Sequence, residues 1–323
     1  MKKKLIFLFV GSFILSMAFY FFCLYRFSTF SRPTIVEMEA MGTLNQIKIF
    51  DEPRKAQAAA TEIQVMLGYL ESKTNLLDPH SEIGVLNQRR NMVVSPELFS
   101  IIERCLYYAE WSHGVFDPTV GALTLAYKVG EGQALPSAAE LAKLRLGVDY
   151  HFVKINAQTR EVALSNPLTK LDVWGAAKGY AADQALAILK KRKIRAAMID
   201  LGGQVSVWGK RPMQAVWNVG VEDPRAPDHL LAMLVLKSGD TLATSSAAQR
   251  FDAHGHKIAG HIFDPHTGLP VASMKSVSIV SQSGLDADIM STTIFVLGTV
   301  QALQELHSFR YLTLDAHDKI LQR

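Results

Sequence analysis

Near the C-terminus, Asp286-Ala287-Asp288-Ile289-Met290-Ser291-Thr292 sets a carboxylate four residues ahead of a hydroxyl. The segment opens a helix, since Ile294, Phe295, Val296 and Leu297 carry it on to Gly298, a residue type that ends helices. Residues four apart share a helix face. Asp288 and Thr292 thus offer oxygen ligands to a hard cation such as Mg²⁺, which often takes few from protein. A cation at a helix start opposes the macrodipole, so the acidic side chains would have to offset it. Upstream, His261-Ile262-Phe263-Asp264-Pro265-His266-Thr267-Gly268 reads as a polar turn at a strand end, because Asp-Pro and Thr-Gly are turn-forming pairs.

Each signal has a plainer reading. His261 in an apolar strand could be a satisfied core histidine, and Asp117 and Asp264, each before proline, could be turn residues. Lys178 at a helix start is either a solvated lysine or one set near a phosphate. Gly202-Gly203 after a strand is either a tight turn or part of a site. It is not a Gly-x-Gly-x-x-Gly fingerprint, which excludes a dinucleotide site of that kind.

These residues need elements to hold them. Met41-Gly42-Thr43 opens a strand in which Leu44, Ile47 and Ile49 are spaced by polar residues. Pro53 starts a helix with Ala56, Ala59, Ala60, Ile63, Leu67 and Leu70 on one face. Residues 74–92 read as a polar loop, and Ser95-Pro96 as the cap and first turn of a helix to about Ser112. A polar turn follows at Phe116–Gly121, then a surface excursion over 125–150 with a short helix after Pro136. A hairpin is expected over 151–156 and 161–165, a helix over 176–192, and a strand from Ala197 into the 201–203 turn. Strand-like runs lie near 204–208, 215–221, 230–236, 241–245, 257–263 and 276–281. A helix near 300–307 and two short strands close the chain. Helices and strands mix without strict βαβ alternation. That predicts an α+β fold of mixed, largely antiparallel sheets with packed helices.

Lys2, Lys3, Lys4, Arg26 and Arg32 carry five positive charges of a chain whose net charge is +4, which leaves residues 33–323 at −1. No basic stripe of the kind that tracks nucleic acid remains. The two cysteines are Cys23 and Cys105. The second falls in an apolar helical pattern and reads as inert core. The uncharged run from Leu5 to Tyr25 has the length of a membrane-spanning helix. It is longer than the apolar core of a signal peptide and lacks small residues for cleavage. The expected organisation is an N-terminal anchor over 1–30, a linker over 31–40 and a catalytic domain over 41–323. The lysines would keep the N-terminus in the cytoplasm and place the body in the periplasm, on a bacterial inner membrane.

Taken in order, Met41-Gly42-Thr43, Ser81-Glu82 with Leu86-Asn87, Phe116–Gly121, Leu171-Asp172 with Ala177–Asp183, Asp200–Gly203, Ala243–Ser245, His261–Gly268 and Ala287-Asp288 through Thr292 to Gly298 resemble the ApbE family of FAD:protein FMN transferases. The likeness spans residues 38–300. It implies binding of FAD and Mg²⁺, cleavage of the FAD pyrophosphate, transfer of FMN to a threonine or serine hydroxyl of a partner protein, and release of AMP. The acceptors it implies are flavoprotein subunits of membrane redox complexes. Carried over residue by residue, Asp288, Thr292 and the Gly175 carbonyl would hold the metal, with the role of Ser291 open. His261 would be the general base, its ordinary pKa lying near neutrality. Asp172 and Lys178 would contact FAD, and Met41, Phe116, Asp117 and Ile262 would line its site. Thr244-Ser245 would form a turn bordering the same cleft. Leu76-Leu77 stands where many members have an aromatic residue, so Leu77 would give the flavin aliphatic contact. Trp174 replaces a common glycine and either supplies the missing aromatic surface or, the reading preferred, is core. Two other readings stay open: hydrolysis of FAD to FMN and AMP, and FAD binding without turnover.

Overall fold

A computed structural model describes residues 16–17, 32–127, 136–211, 216–226, 228–246, 262–271, 273–299 and 309–323. The elements described from residue 32 onward open with strands β1 (Thr34–Ala40) and β2 (Thr43–Phe50), then helices α1 (Pro53–Thr74) and α2 (Glu82–Arg89), β3 (Asn91–Val93) and α3 (Pro96–Trp111). There follow α4 (Gly121–Ala126), α5 (Ala138–Arg145), β4 (Val153–Asn156), β5 (Glu161–Leu164), α6 (Trp174–Lys191), β6 (Ala196–Leu201) and β7 (Gln204–Gly209). The last elements are β8 (Trp217–Glu222), β9 (Leu230–Leu236), β10 (Thr241–Ser246), β11 (Met274–Ser281), α7 (Gly284–Leu297), β12 (Arg310–Asp315) and β13 (Ile320–Gln322).

Among the described residues, eight strands form one sheet in the order β1-β2-β6-β7-β10-β11-β12-β13, and every neighbouring pair is antiparallel. A three-stranded sheet, β3-β5-β4, and the β8-β9 pair complete the α+β architecture. Alternation along the strands sorts the core onto two faces. On one face Ile47, Ile49, Ala197, Ile199 and Leu201 pack against the apolar stripes of α1 and α6. On the other, Phe50, Val207, Leu242 and Val280 pack against Trp217, Val219 and Leu234 of the β8-β9 pair. A third cluster joins α3, the start of α6, α7 and the inward side chains Ala243, Val277 and Ile279 of β10 and β11. Cys105 lies fully buried in it, and burial pushes its thiol up, as expected of inert core.

Two hairpin tips meet beside this core. Met41 and Gly42 join β1 to β2 with φ of +54° and +71°, and Gly202 and Gly203 join β6 to β7 with +62° and +92°. Two-residue loops of this kind match the twist of paired strands. A Cβ on Gly202 would stand 2.4 Å from Thr43 Oγ1, so the tips pack side by side. The Asn45 amide fastens the first by donating to the carbonyls of Ala40, at 3.0 Å, and Thr43, at 3.1 Å.

The structure departs from expectation in several places. Residues 34–40, read as linker, form β1, with Met38 buried while Ile35, Glu37 and Glu39 face out. The polar loop over 74–92 contains α2, whose start Ser81 caps by accepting from Gly84 N–H at 3.0 Å, and β3. Thr244-Ser245, read as a turn, lies within β10. Of the run at 257–263, only Ile262 and Phe263 are described, and Phe263 forms an isolated bridge to Pro270. The helix expected near 300–307 lies outside the described residues.

The expectation of a membrane-spanning helix is corrected. Among the described residues no helix is long and apolar enough to cross a membrane. The longest, α1, has 22 residues but is apolar on one stripe only, with Arg54, Lys55 and Glu62 beside it. The run from Leu5 to Tyr25 lies, save for residues 16 and 17, outside the described residues. The inner-membrane and periplasmic placement, and the membrane as a partner, are accordingly withdrawn.

Candidate functional site

Helices α6 and α7 cross at close range. A Cβ on Gly179 would lie 2.4 Å from the Gly284 carbonyl oxygen and 2.8 Å from Asp288 Cβ, so only glycine lets the backbones approach this far. At this crossing the Gly179 N–H donates to Asp288 Oδ2 at 2.8 Å. In a regular helix that amide would donate to the carbonyl of Gly175, four residues back. Asp288 thus accepts from the amide that faces the Gly175 carbonyl one turn back. Asp288 is 8% exposed. Burial raises its pKa, against lowering by the Lys178 charge and the Gly179 hydrogen bond.

Thr292 stands one turn beyond Asp288, as the spacing predicts, and a Cβ on Gly175 would be 3.6 Å from its Oγ1 and 3.4 Å from the Phe116 ring. Ser245 on β10 supports this face of α7, with its Oγ 2.8 Å from Ser291 Oγ and 3.2 Å from Thr292 Oγ1. Ser291 is fully buried and donates to the Asp288 carbonyl at 2.9 Å. Asp288, Ser291, Thr292, Gly175, Phe116 and Lys178 therefore come together at the crossing. The start of α7 is held from two sides. Asp183 of α6 accepts from the N–H groups of Gly284, at 2.6 Å, and Leu285, at 3.0 Å. Arg104 of α3 donates to both oxygens of Asp286 at 2.6 and 2.9 Å.

Asp117 and Asp172 form a second group beside the first. The Asp172 N–H donates to the Pro118 carbonyl at 2.7 Å, which ties the Phe116–Gly121 loop to the entry of α6. Asp117 Oδ1 accepts from the N–H and hydroxyl of Thr119, and Oδ2 from Tyr150 N–H. Burial outweighs these bonds and pushes Asp117 up to about 6. Asp172 accepts from Thr124 Oγ1 at 2.7 Å and from Trp174 N–H at 2.9 Å, and burial raises it as well. Phe116, the neighbour of Asp117, lies against Gly175 of the first group, so the two groups adjoin. Desolvated carboxylates gathered in this way are a common mark of a functional site.

Met41 and Ile262 pack, partly buried, against the same core cluster as Phe116. Leu77 is 49% exposed on the loop between α1 and α2. Trp174, read as core, is half-buried at the first position of α6. His261 lies outside the described residues. Among the described residues no group of three or more His, Cys, Asp or Glu side chains could hold a metal ion, so the expected metal centre has no acidic or histidine cage behind it. Sequence reasoning missed the parts played by Asn87, Arg104 and Asp183. Asn87 clamps Leu171, donating to its carbonyl at 2.9 Å and accepting from its N–H at 2.7 Å. Asn87 and Asp183 fell within quoted motifs. Nothing local marks Arg104, whose partner is 182 residues away.

The sequence model of the ApbE family matches residues 41–313. A curated FAD:protein FMN transferase of Treponema pallidum (strain Nichols) is 29% identical over 304 residues, 88% of this chain and 83% of that protein. One of Klebsiella pneumoniae (strain 342) is 27% identical over 264 residues, 80% of each. Among solved structures, an ApbE protein of Thermotoga maritima superposes with a TM-score of 0.83 at 27% identity, covering 90% of this chain and 97% of that one. The flavin transferase ApbE of Vibrio cholerae shares the fold with a TM-score of 0.78 at 22% identity, covering 90% and 96%.

Proposed function

This chain belongs to the ApbE family, and from that premise we propose that it is an FAD:protein FMN transferase that moves FMN from FAD onto a threonine or serine hydroxyl of a partner protein and releases AMP. The acceptor oxygen forms a bond to the FMN phosphorus while the bridging oxygen of the pyrophosphate departs with AMP. The hydroxyl proton passes to a base, for which His261 is the candidate by residue type.

One observation carries the reading: a buried carboxylate, Asp288, stands one helical turn from Thr292, with Gly175 and Lys178 against the same face. The donor set of Asp288, Thr292 and the Gly175 carbonyl is all oxygen, which suits Mg²⁺ and leaves room for water and substrate phosphate. Bound there, Mg²⁺ supplies a Lewis acid that offsets charge on the phosphates. Ser291 is committed to the Asp288 carbonyl and to Ser245, so its part is to brace the pair and not to bind. The Lys178 charge works against the rise that burial imposes on Asp288, and it opposes phosphate charge on the same side. Phe116, Asp117, Asp172, Met41 and Ile262 line the flavin nucleotide site, with Leu77 at its exposed margin.

The test is incubation of the full-length protein with FAD, Mg²⁺ and a candidate acceptor, read by intact mass and AMP release. Covalent FMN on the acceptor, lost with a chelator and in Asp288→Ala, is expected. Free FMN and AMP alone would make the protein a pyrophosphatase, and FAD binding without AMP would make it a carrier.

A further inference from the structure

Two segments share one pattern: Gly179-Tyr180-Ala181-Ala182-Asp183 on α6 and Gly284-Leu285-Asp286-Ala287-Asp288 on α7. In each, a carboxylate follows a glycine by one helical turn. The helices touch at those glycines, for a Cβ on Gly284 would lie 2.7 Å from the Gly179 carbonyl oxygen and 3.0 Å from Asp183 Oδ1. Across the contact the carboxylates are exchanged. Asp288 of α7 accepts from Gly179 of α6, and Asp183 of α6 accepts from Gly284 and Leu285 of α7.

The two acids differ in what they serve. Asp288 faces Lys178 and stands below Thr292. Asp183 directs both oxygens at main-chain amides in the first turn of α7, amides that have no partner within their own helix. We propose that Asp183 is a positioning residue for the transfer reaction, seating the first turn of α7 on α6 and so fixing the height and rotation at which Asp288 and Thr292 stand opposite Gly175. Gly284, Asp288 and Thr292 are successive turns of one helix, so a shift at the first is carried to the other two. This role rests on the reading that Asp288 and Thr292 hold Mg²⁺.

An asparagine at 183 has the same shape but only one acceptor oxygen. Its NH₂ would face one of the two amides, donor against donor. Mg²⁺ affinity of the full-length protein, measured by calorimetry without FAD or acceptor, is therefore expected to fall about tenfold or more in Asp183→Asn, the scale seen when a metal ligand loses its support. Glu103→Gln removes the same unit of charge from an exposed position on α3 and leaves those amides capped, and should change affinity by no more than about twofold. Equal losses in the two variants, or wild-type affinity in a folded Asp183→Asn, would overturn the positioning role. No Mg²⁺ binding by the wild type would instead overturn the metal reading beneath it. If Asp183→Asn does not fold, hydrogen exchange on the wild type decides. Slower exchange at Gly284 and Leu285 on adding Mg²⁺ supports the link, and unchanged exchange refutes it.

Discussion

Replacing one helical glycine by alanine should change the stability of this protein in opposite directions at two positions. Gly68 of α1 is exposed, and a Cβ there would meet nothing within 4 Å. Gly68→Ala should therefore show the bare helix-propensity gain, about 1 kcal/mol. Gly179 of α6 has the same intrinsic gain available. Its Cβ, however, would come within 2.4 Å of the Gly284 carbonyl oxygen, 2.7 Å of Leu285 Cα and 2.8 Å of Asp288 Cβ. None of these atoms can rotate away, so α6 and α7 must part by roughly 1 Å to restore ordinary contact. Overpacking of this kind costs about 1–3 kcal/mol. Straining the Gly179 hydrogen bond to the Asp288 carboxylate adds up to about 1.5–3 kcal/mol, the value of a bond to a charged group. After the propensity gain, Gly179→Ala should be destabilised by about 1.5–5 kcal/mol. Urea unfolding, with an unchanged slope and a shifted midpoint, measures both variants. A Gly179→Ala protein as stable as the wild type would refute the close approach on which the site depends.

Asn87→Ala should cost about 2–3 kcal/mol in the same assay, because it leaves the N–H and carbonyl of Leu171 without their side-chain partners in a buried setting. A loss below about 0.5 kcal/mol, the range of neutral surface changes, would show that the clamp is dispensable. The third expectation concerns pH. Asp117 is held up to about 6 in the folded chain against an ordinary 3.8. Between those values the folded state keeps a proton that the unfolded state has released, so stability falls as pH rises from about 4 to about 6 and is level above. The contribution is about 3 kcal/mol. Asp117→Asn should flatten the slope by that order in urea melts across the window, and a slope equal to that of the wild type would contradict the assignment.

What was legible in the sequence was local. Ser95 and Pro96 mark the start of α3, where Ser95 Oγ accepts from Leu98 N–H. The six-residue apolar stripe of α1 is buried as its period requires. Asp288 and Thr292 share a face because four residues make about one turn. The start of α7 was placed slightly late, because Ser283 caps it and Asp286 lies in its first turn. Strand β1 was hidden because it is an edge, with only Val36, Met38 and Ala40 turned to the core. Helix α2 was hidden because its two turns bury only two large apolar side chains, Ile83 and Leu86. The support of the site was out of reach for another reason. Arg104 and Asp286, or Gly179 and Gly284, acquire meaning only when elements over a hundred residues apart are laid across each other.

The order of the large sheet sets a timetable for assembly. Strand β2 ends at Phe50, yet its neighbour β6 begins at Ala196. At typical synthesis rates of about 5–20 residues per second, the β1-β2 hairpin emerges roughly 7–30 s before the strand that covers its inner edge. During that interval a row of main-chain amides and carbonyls lies open beside Ile47 and Ile49, a template for pairing with another chain. Closing the sheet then requires a contact across most of the intervening sequence, the slowest kind to form. The early hairpin is thus an open edge in newly made copies of this protein.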